Sequence, residues 1–195
     1  MRVIAGKYRS RPLRSLHGMD IRPTSDRLRE TLFNILSAGN VLALEGTVWL
    51  DLFAGTGAVG IEALSRGAKQ VYFVESSAAA TELIQKNLNS LGIKTGYRIL
   101  QQEVPGAFRH MERQQVAADV VFIDPPYRQK YAYRETLLAL AQSSVITATP
   151  VVIAEHEKQF DPGGNFGSLE RFRKLVQGSA ALSFYRRTGA VEIGE

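Results

Sequence analysis

The sequence lacks cysteine entirely, since none occurs among its 195 residues. This absence excludes disulfide bonds, a cysteine nucleophile and cysteine-ligated zinc. The three histidines of the chain are His17, His110 and His156, and they lack the spacing of metal ligands. We therefore predict no metal site. The chain has no apolar run of about eighteen residues and no N-terminal apolar core of the kind a signal peptide needs. We therefore expect a soluble cytoplasmic protein that contacts no membrane.

Basic residues are concentrated in the N-terminal segment. Residues 1–30 contain eight Lys and Arg residues and three acids, an excess of five that equals the net charge of the whole chain. A cationic segment joined to a neutral remainder is typical of an arm that binds a polyanion such as nucleic acid, and a solvated basic terminus is the alternative. Because Val3, Tyr8 and Leu13 are interleaved with the cations, we expect the arm to fold and to dock.

The N-terminal segment also predicts two secondary-structure elements. Residues 2–13 contain β-prone pieces around Gly6 and Lys7 and favour a strand or a hairpin. A helix is predicted to begin after a cap at Thr24 or Ser25 and to end near residues 38–40. We divide the chain into a basic extension, residues 1–38, which packs on a main domain, residues 39–195.

A glycine-rich loop follows the first buried strand of the main domain. Residues 47–52 predict that strand, and GTGAVG at residues 55–60 leads into a helix. Glycines at such a place let a ligand approach the backbone and the helix N-terminus closely, and the spacing alone would also fit a dinucleotide enzyme. Asp51 argues against that alternative, because an acid at the strand end would repel a pyrophosphate and favour the ammonium group of a methionine moiety.

Two more acids follow neighbouring strands. Glu75 ends the strand predicted at residues 71–74, and its carboxylate can accept hydrogen bonds from both hydroxyls of a ribose. Glu103 follows the strand predicted near residues 97–100, where a carboxylate would accept from an adenine amino group. An exposed loop acid is the alternative at that position.

The sequence ADVVFIDPPYR, residues 118–128, predicts a buried strand that stops at a rigid loop. Two prolines remove two backbone donors, so the carbonyls of Asp124 and Pro125 are left to accept hydrogen bonds from another group. Together with the Asp124 carboxylate they could hold both hydrogens of an exocyclic NH2, while Tyr127 offers a face on which a base can stack. A turn that merely ends a strand is the alternative.

Strands and helices alternate along the rest of the chain. Helices are predicted over residues 77–91, 105–113 and 133–143, and a further strand over residues 150–155. Residues 169–176 and 180–187 flank Gln177-Gly178-Ser179 and predict a hairpin. This order favours a mostly parallel sheet with an antiparallel edge.

The order Asp-Pro-Pro-Tyr resembles the signature of S-adenosylmethionine-dependent amino-methyltransferases. Four segments together are similar to the bacterial small-subunit (16S) ribosomal RNA (guanine-N2)-methyltransferase family: RVIAGKYRSRPL (2–13), RPTSDRLRETLFNIL (22–36), DLFAGTG (51–57) and DPPY (124–127). The second segment is the specific one, because many methyltransferases share the glycine loop and DPPY. The chain departs from the family at Glu103, where an aspartate is expected.

The resemblance implies an α/β class I methyltransferase fold, with a Rossmann-like, mostly parallel seven-stranded sheet, an antiparallel C-terminal hairpin and a short basic N-terminal β/α extension. It implies S-adenosylmethionine as the cofactor and N2 of one guanine as the methyl acceptor. The implied partner is small-subunit ribosomal RNA or the assembling small subunit, and we take a monomer as the default.

From the residues and the resemblance together, we predict three groups of site residues. The predicted catalytic residues are Asp124, Pro125, Pro126 and Tyr127. The predicted cofactor-binding residues are Asp51, Phe53, Ala54, Gly55, Thr56, Gly57, Glu75, Ser76, Glu103, Val104 and Asp124. The predicted RNA-binding residues are Arg2, Lys7, Arg9, Arg11, Arg22, Arg29 and Arg128.

Three other functions fit parts of the pattern. An amino-methyltransferase acting on DNA, on another RNA or on protein would use the same DPPY pocket. A nucleic-acid-binding assembly factor with a vestigial cofactor site would not need Asp51, Glu75 and DPPY together. A nicotinamide oxidoreductase is disfavoured by Asp51 and by the two prolines.

Overall fold

The computed structural model describes residues 1–15, 25–38, 40 and 43–188. Its helices are α1 (Asp26–Ser37), α2 (Ala58–Ser65), α3 (Ala78–Leu91), α4 (Val104–Arg113) and α5 (Lys130–Gln142). Its strands are β1 (Val48–Leu52), β2 (Gln70–Glu75), β3 (Tyr97–Gln101), β4 (Ala118–Ile123), β5 (Ile146–Glu157), β6 (Asn165–Phe166), β7 (Leu169–Gln177) and β8 (Ala180–Arg187). In the described part of the chain they form one sheet of order β3-β2-β1-β4-β5-β8-β7-β6.

The first five strands run parallel, and helices cover both faces of the sheet. Because side chains alternate along a strand, neighbouring residues enter different cores. Trp49 and Phe122 pack with α1, α2 and α3 on one face, whereas Leu50 and Val121 pack with α4 and α5 on the other. Burial on both faces explains the near-continuous apolar runs of these strands.

The class I methyltransferase fold is confirmed, with one difference in strand number. The hairpin predicted near the C-terminus forms from β7 and β8, which pair antiparallel, and β8 pairs antiparallel with β5. The sheet has eight strands rather than seven, because the two-residue strand β6 pairs with the start of β7. A segment this short carries no periodicity from which a strand could be predicted. Helix α5 also begins three residues before the predicted start, and β5 is longer at both ends.

The N-terminal arm, residues 1–15, forms a loop closed by a single antiparallel bridge between Arg2 and Pro12. The amide of Val3 donates to the Arg11 carbonyl at 3.0 Å inside that bridge. Helix α1 is capped by Ser25, whose hydroxyl accepts from the Leu28 amide at 3.1 Å. Thr24, the other predicted cap, lies outside the described residues.

One buried acid holds the arm on α2. The Glu62 carboxylate accepts from the amides of Ile4 at 2.7 Å and Ala5 at 3.0 Å. One turn later, the Ser65 hydroxyl accepts from the Tyr8 amide at 3.0 Å. Gly6 lies so close to Ser65 that an added Cβ would fall 1.9 Å from its carbonyl oxygen. The arm therefore packs on α2 through these backbone contacts and through the buried side chains of Val3 and Leu13, while its cationic side chains are exposed.

Among the residues that the structure describes, no helix is both long enough and apolar enough to cross a membrane.

Candidate active site

The carboxyl ends of four adjacent parallel strands bring the predicted site residues to one edge of the sheet. In the β1–β4 register Leu52 pairs with Ile123, so the glycine loop and Asp124 leave the sheet side by side. Glu75 is the last residue of β2, the neighbour of β1 on the other side. The strand order changes direction between β1 and β4, and such a switch point is where open α/β sheets bind ligands.

The side chains of three acids lie at this edge, on the face of the sheet that α1 covers. Trp49, Phe122 and Ile153 belong to the core cluster on that face. Asp51, Asp124 and Glu155 each follow one of them by two positions, so their side chains point to the same face. In the β4–β5 register Ile123 pairs with Ala154, which makes Asp124 and Glu155 neighbours across the two strands.

Asp124 is the electrostatic centre of this group. Burial raises the pKa of its carboxyl well above the ordinary range, and the neighbouring Glu155 and Asp51 raise it further. No donor in the described part of the chain hydrogen-bonds this carboxyl, and the side chain is partly exposed. Its carboxylate oxygens are therefore available to a donor from outside the described residues.

The DPPY segment forms a tight turn after β4. Pro125 is buried and Pro126 is exposed. The Pro126 carbonyl accepts from the Gln129 amide at 2.7 Å, whereas no amide of the described residues donates to the Pro125 carbonyl. The half-buried Tyr127 is the second residue of the turn from Pro126 to Gln129.

Tyr133 holds the neighbouring end of β5 in place, a role that the sequence did not reveal. Its ring is fully buried, and its hydroxyl donates to the Glu155 carbonyl at 2.8 Å. Burial raises the pKa of the Tyr133 hydroxyl, with further contributions from Asp124 and Tyr127. The phenol therefore stays neutral and holds the end of β5 against α5.

The glycine loop depends on close backbone contacts. Phe53 and Gly55 adopt left-handed conformations, with φ of 59° and 53°. Gly60, in the first turn of α2, leaves no room for a side chain, because an added Cβ would lie 2.3 Å from the Phe73 ring. The loop and the start of α2 therefore lie tightly against β2.

Asp51 lies beneath this loop and is only 2% exposed. Its Oδ2 accepts from the Gly60 amide at 2.8 Å. Burial raises the pKa of Asp51 to about 7; the Gly60 hydrogen bond opposes this shift and Glu75 adds to it. A buried carboxyl with so high a pKa would gain stability from a cationic group at the site.

Glu75 orders the loop as well as facing the site. Its Oε2 accepts from the Gly55 amide at 2.9 Å, and its Oε1 accepts from the Ser77 amide at 2.9 Å. Each carboxylate oxygen has a second lone pair, so both can still accept from a ligand. Ser76 is exposed beside it, and Ser77 caps α3 by accepting from the Ala80 amide at 3.3 Å.

The third strand end carries the residues predicted to contact adenine. Glu103 is exposed at the N-cap of α4 and makes no capping bond with its side chain. Val104 is buried in the first turn of that helix. Glu103 thus lies one strand beyond Glu75, and its role as an adenine contact stays a prediction.

The predicted RNA-binding cations fall into three groups. Those at the surface, mostly in the arm, are Arg2, Lys7, Arg9, Arg11 and Arg128. Arg22 lies outside the described residues. Arg29 was wrongly predicted, because its side chain is fully buried.

The position of Arg29 on α1 explains this correction. It lies on the helical stripe that faces the sheet, beside Leu28 and Leu32. Its guanidinium pairs with Asp26 at 3.0 Å, lies 3.9 Å from Glu62, and donates to the carbonyl of Arg2. Burial lowers the pKa of Arg29 despite these partners. The side chain therefore ties α1 to the arm and to α2 instead of contacting a polyanion.

Comparison with known proteins places the chain in a family. Residues 1–186 match the family described as Conserved hypothetical protein 95. The chain belongs to that family. Ribosomal RNA small subunit methyltransferase D of Escherichia coli K12 is 31% identical over 188 residues, which cover 96% of this chain and 90% of the relative. The protein of the same name from Haemophilus influenzae is 34% identical over 81% of this chain and 79% of the relative.

Solved structures similar to this chain have the same fold. A hypothetical protein of Thermus thermophilus superposes with a TM-score of 0.77 at 29% identity, covering 94% of this chain and 98% of its own. A more distant structure, described as a candidate methyltransferase in complex with SAH, has a TM-score of 0.65 at 16% identity and covers 86% of this chain. The distant likeness concerns the fold alone.

Proposed function

We propose that this protein transfers a methyl group from S-adenosylmethionine to the exocyclic N2 amine of one guanine in small-subunit ribosomal RNA. The observation that carries the proposal is Asp124 at the end of β4 beside the glycine loop, with a carboxylate that no donor of the described residues hydrogen-bonds. Ribosomal RNA as the substrate is supported by the two relatives named small subunit methyltransferase D. Guanine N2 is supported by the resemblance of the RPTSDRLRETLFNIL segment.

The residues at the first two strand ends fit the cofactor. Asp51 would attract its ammonium group, the open lone pairs of Glu75 would accept from its ribose hydroxyls, and the backbone of residues 53–57 would contact its methionine portion. S-adenosylmethionine supplies an electrophilic methyl group bonded to a sulfonium sulfur. Glu103 would accept from the adenine amine at the edge of the pocket.

The acceptors at the carboxyl end of β4 fit the amine. The lone pair of guanine N2 is delocalised into the ring, so the amine is a poor nucleophile unless it is held in a suitable geometry. Hydrogen bonds from its two N–H groups to the Asp124 carboxyl and the Pro125 carbonyl would orient it and favour a pyramidal nitrogen. Tyr127 would stack on the base after it leaves its own stack.

Asp124 has a second task after attack. The methylated nitrogen carries a positive charge and must lose one N–H proton. The raised pKa of Asp124 makes its carboxylate a better acceptor for that proton than an ordinary surface acid. We therefore assign to Asp124 both the orientation of N2 and the receipt of its proton.

Substitution at Asp124 tests this assignment. We expect Asp124→Ala to reduce turnover at least 100-fold, in keeping with the loss of a positioned acid-base group, while S-adenosylmethionine still binds. The matched control is Asp161→Ala, which removes an exposed acid from the loop before β6. Normal turnover by Asp124→Ala would overturn the proposed role. If the protein methylates DNA or protein but not ribosomal RNA, the proposed substrate is wrong.

A further inference from the structure

A basic and aromatic surface adjoins the DPPY turn at the start of α5. We name the four residues Arg128, Lys130, Tyr131 and Arg134 the α5 surface. Tyr131 is 62% exposed, more than the other exposed large apolar side chains of the described chain, Phe172 and Val176. The seven residues 128–134 include three cations and no acid, and Glu135 is the first acid that follows.

The helix geometry fixes which of these side chains are available at the surface. Ala132 and Tyr133 are buried against the sheet. The Lys130 ammonium lies 5.3 Å from the centre of the Phe160 ring and 3.9 Å from the Glu157 carboxylate, which holds the first turn against the end of β5. Residues three apart share a helix face, so the exposed Tyr131 and Arg134 project outward together.

The α5 surface is also close to the site. Tyr131 follows Tyr127 by four residues, and four residues span at most about 14 Å. The turn between them is shortened by the hydrogen bond from the Gln129 amide to the Pro126 carbonyl. A nucleotide next to a base held at Asp124 is therefore within reach of Tyr131.

From exposure, charge and position we infer that the α5 surface binds the single-stranded RNA flanking the target guanine, with Tyr131 stacking on a neighbouring base and Arg134 contacting a phosphate. This inference rests on the proposed function. An aromatic face suits any base, because each base has a π-face, and cations beside it bind the backbone without reading sequence. The surface would then hold the strand in the opened form that the flipped guanine requires.

Kinetics with variants of Tyr131 test the stacking contact. We expect Tyr131→Ala to raise KM for RNA by about 5- to 150-fold, the range for loss of one stacked base. The dissociation constant of S-adenosylmethionine should not change. Tyr131→Phe keeps the ring and should stay within about twofold of wild type. The matched control is Phe172→Ala, because Phe172 is 47% exposed and lies on β7, three strands from β4.

The salt dependence of RNA binding tests the phosphate contact of Arg134. Arg134→Ala should reduce the slope of log affinity against log salt by about 0.7 for single-stranded RNA, whereas Arg98→Ala, an exposed cation on β3, should leave the slope unchanged.

The inference would be overturned if KM for RNA is unchanged in Tyr131→Ala or rises equally in Phe172→Ala. Methyl transfer by the wild type would still support the proposed function in that case. If Tyr131→Ala raises KM for protein-containing subunits but not for naked RNA, Tyr131 contacts a ribosomal protein. That result would also overturn the inference. Absence of RNA methylation by the wild type would instead overturn the proposed function, and this inference with it.

Discussion

The side-chain amide of Asn87 links the N-terminal arm to the glycine loop. Its Nδ2 donates to the Thr56 carbonyl at 3.0 Å and to the Arg14 carbonyl at 3.2 Å, and its Oδ1 accepts from the Arg14 amide at 2.8 Å. The side chain is fully buried in α3. A single side chain thus hydrogen-bonds backbone groups of both the arm and the glycine loop, which are far apart in the sequence.

Removal of this amide should affect both segments. We expect Asn87→Ala to lower the free energy of unfolding by about 1–3 kcal/mol, because buried carbonyl and amide groups lose their partner. Cofactor affinity should also fall, since the Thr56 carbonyl loses its anchor. The control is Asn89→Ala, an exposed residue of the same helix. Urea unfolding and calorimetric titration measure the two effects, and equal cofactor affinity in both variants would contradict the link.

The raised pKa of Asp51 predicts how stability depends on pH. Its pKa rises from the ordinary 3.8 to about 7 on folding, mainly through burial. The folded protein therefore keeps this proton between those pH values while the unfolded chain loses it, so this residue's contribution to stability falls as pH rises. The change is about 1.4 kcal/mol per pH unit.

Asp51→Asn removes this titration and can still accept from the Gly60 amide. We expect the variant to gain stability relative to wild type by about 2–4 kcal/mol between pH 4 and pH 7.5, measured by urea unfolding at several pH values. Parallel stability curves for the two proteins would contradict the raised pKa. Cofactor binding should weaken in the variant, because the carboxylate that attracts the ammonium group is lost.

Two helical glycines should respond in opposite ways to the same substitution. Gly60→Ala places a methyl group 2.3 Å from the present position of the Phe73 ring, so we expect a loss of about 1–3 kcal/mol in unfolding free energy. Gly106→Ala, in α4, meets two flexible side chains, those of Gln102 at 3.2 Å and Arg109 at 4.0 Å. That change should be neutral or stabilising by up to about 1 kcal/mol, because alanine favours a helix. A stable Gly60→Ala protein would show that the loop need not lie so close to β2.

Substitution of an arm cation should change RNA affinity, whereas substitution of Arg29 should change stability. Arg9→Ala removes an exposed charge, so we expect weaker RNA binding, a salt slope reduced by about 0.7 and an unchanged melting temperature. Arg29→Ala removes a buried partner of Glu62, so we expect a loss of about 3 kcal/mol or more in unfolding free energy. Filter binding and thermal unfolding measure the two variants. A normal melting temperature for Arg29→Ala would contradict its structural role.

The parts of this molecule that were predictable from sequence are those fixed by local patterns. The apolar run before Asp124 and the glycines after Asp51 identify strand ends, and parallel strands bring such ends to one edge. The hairpin of β7 and β8 follows from two β-prone segments around Gly178.

The rest depends on contacts between residues far apart in the chain. The bond from the Ile4 amide to Glu62 joins residues 58 positions apart, and the bond from the Arg14 amide to Asn87 joins residues 73 apart. The sequence does not reveal these bonds, because Glu62 and Asn87 lie within helices and their partners lie in the distant arm. Arg29 was misassigned for the same reason, since its buried partner Glu62 lies on α2 and is brought to it by the packing of α1.

The most direct test is the transfer of labelled methyl from S-adenosylmethionine to small-subunit ribosomal RNA. Naked RNA and small subunits from cells lacking this activity would be labelled in parallel, and the RNA digested to nucleosides and mapped with nucleases. We predict label in N2-methylguanosine at one position, and the better substrate would show whether methylation precedes or follows protein assembly. Label on adenine or cytosine, or no label in either substrate while the cofactor binds, would contradict the proposed function.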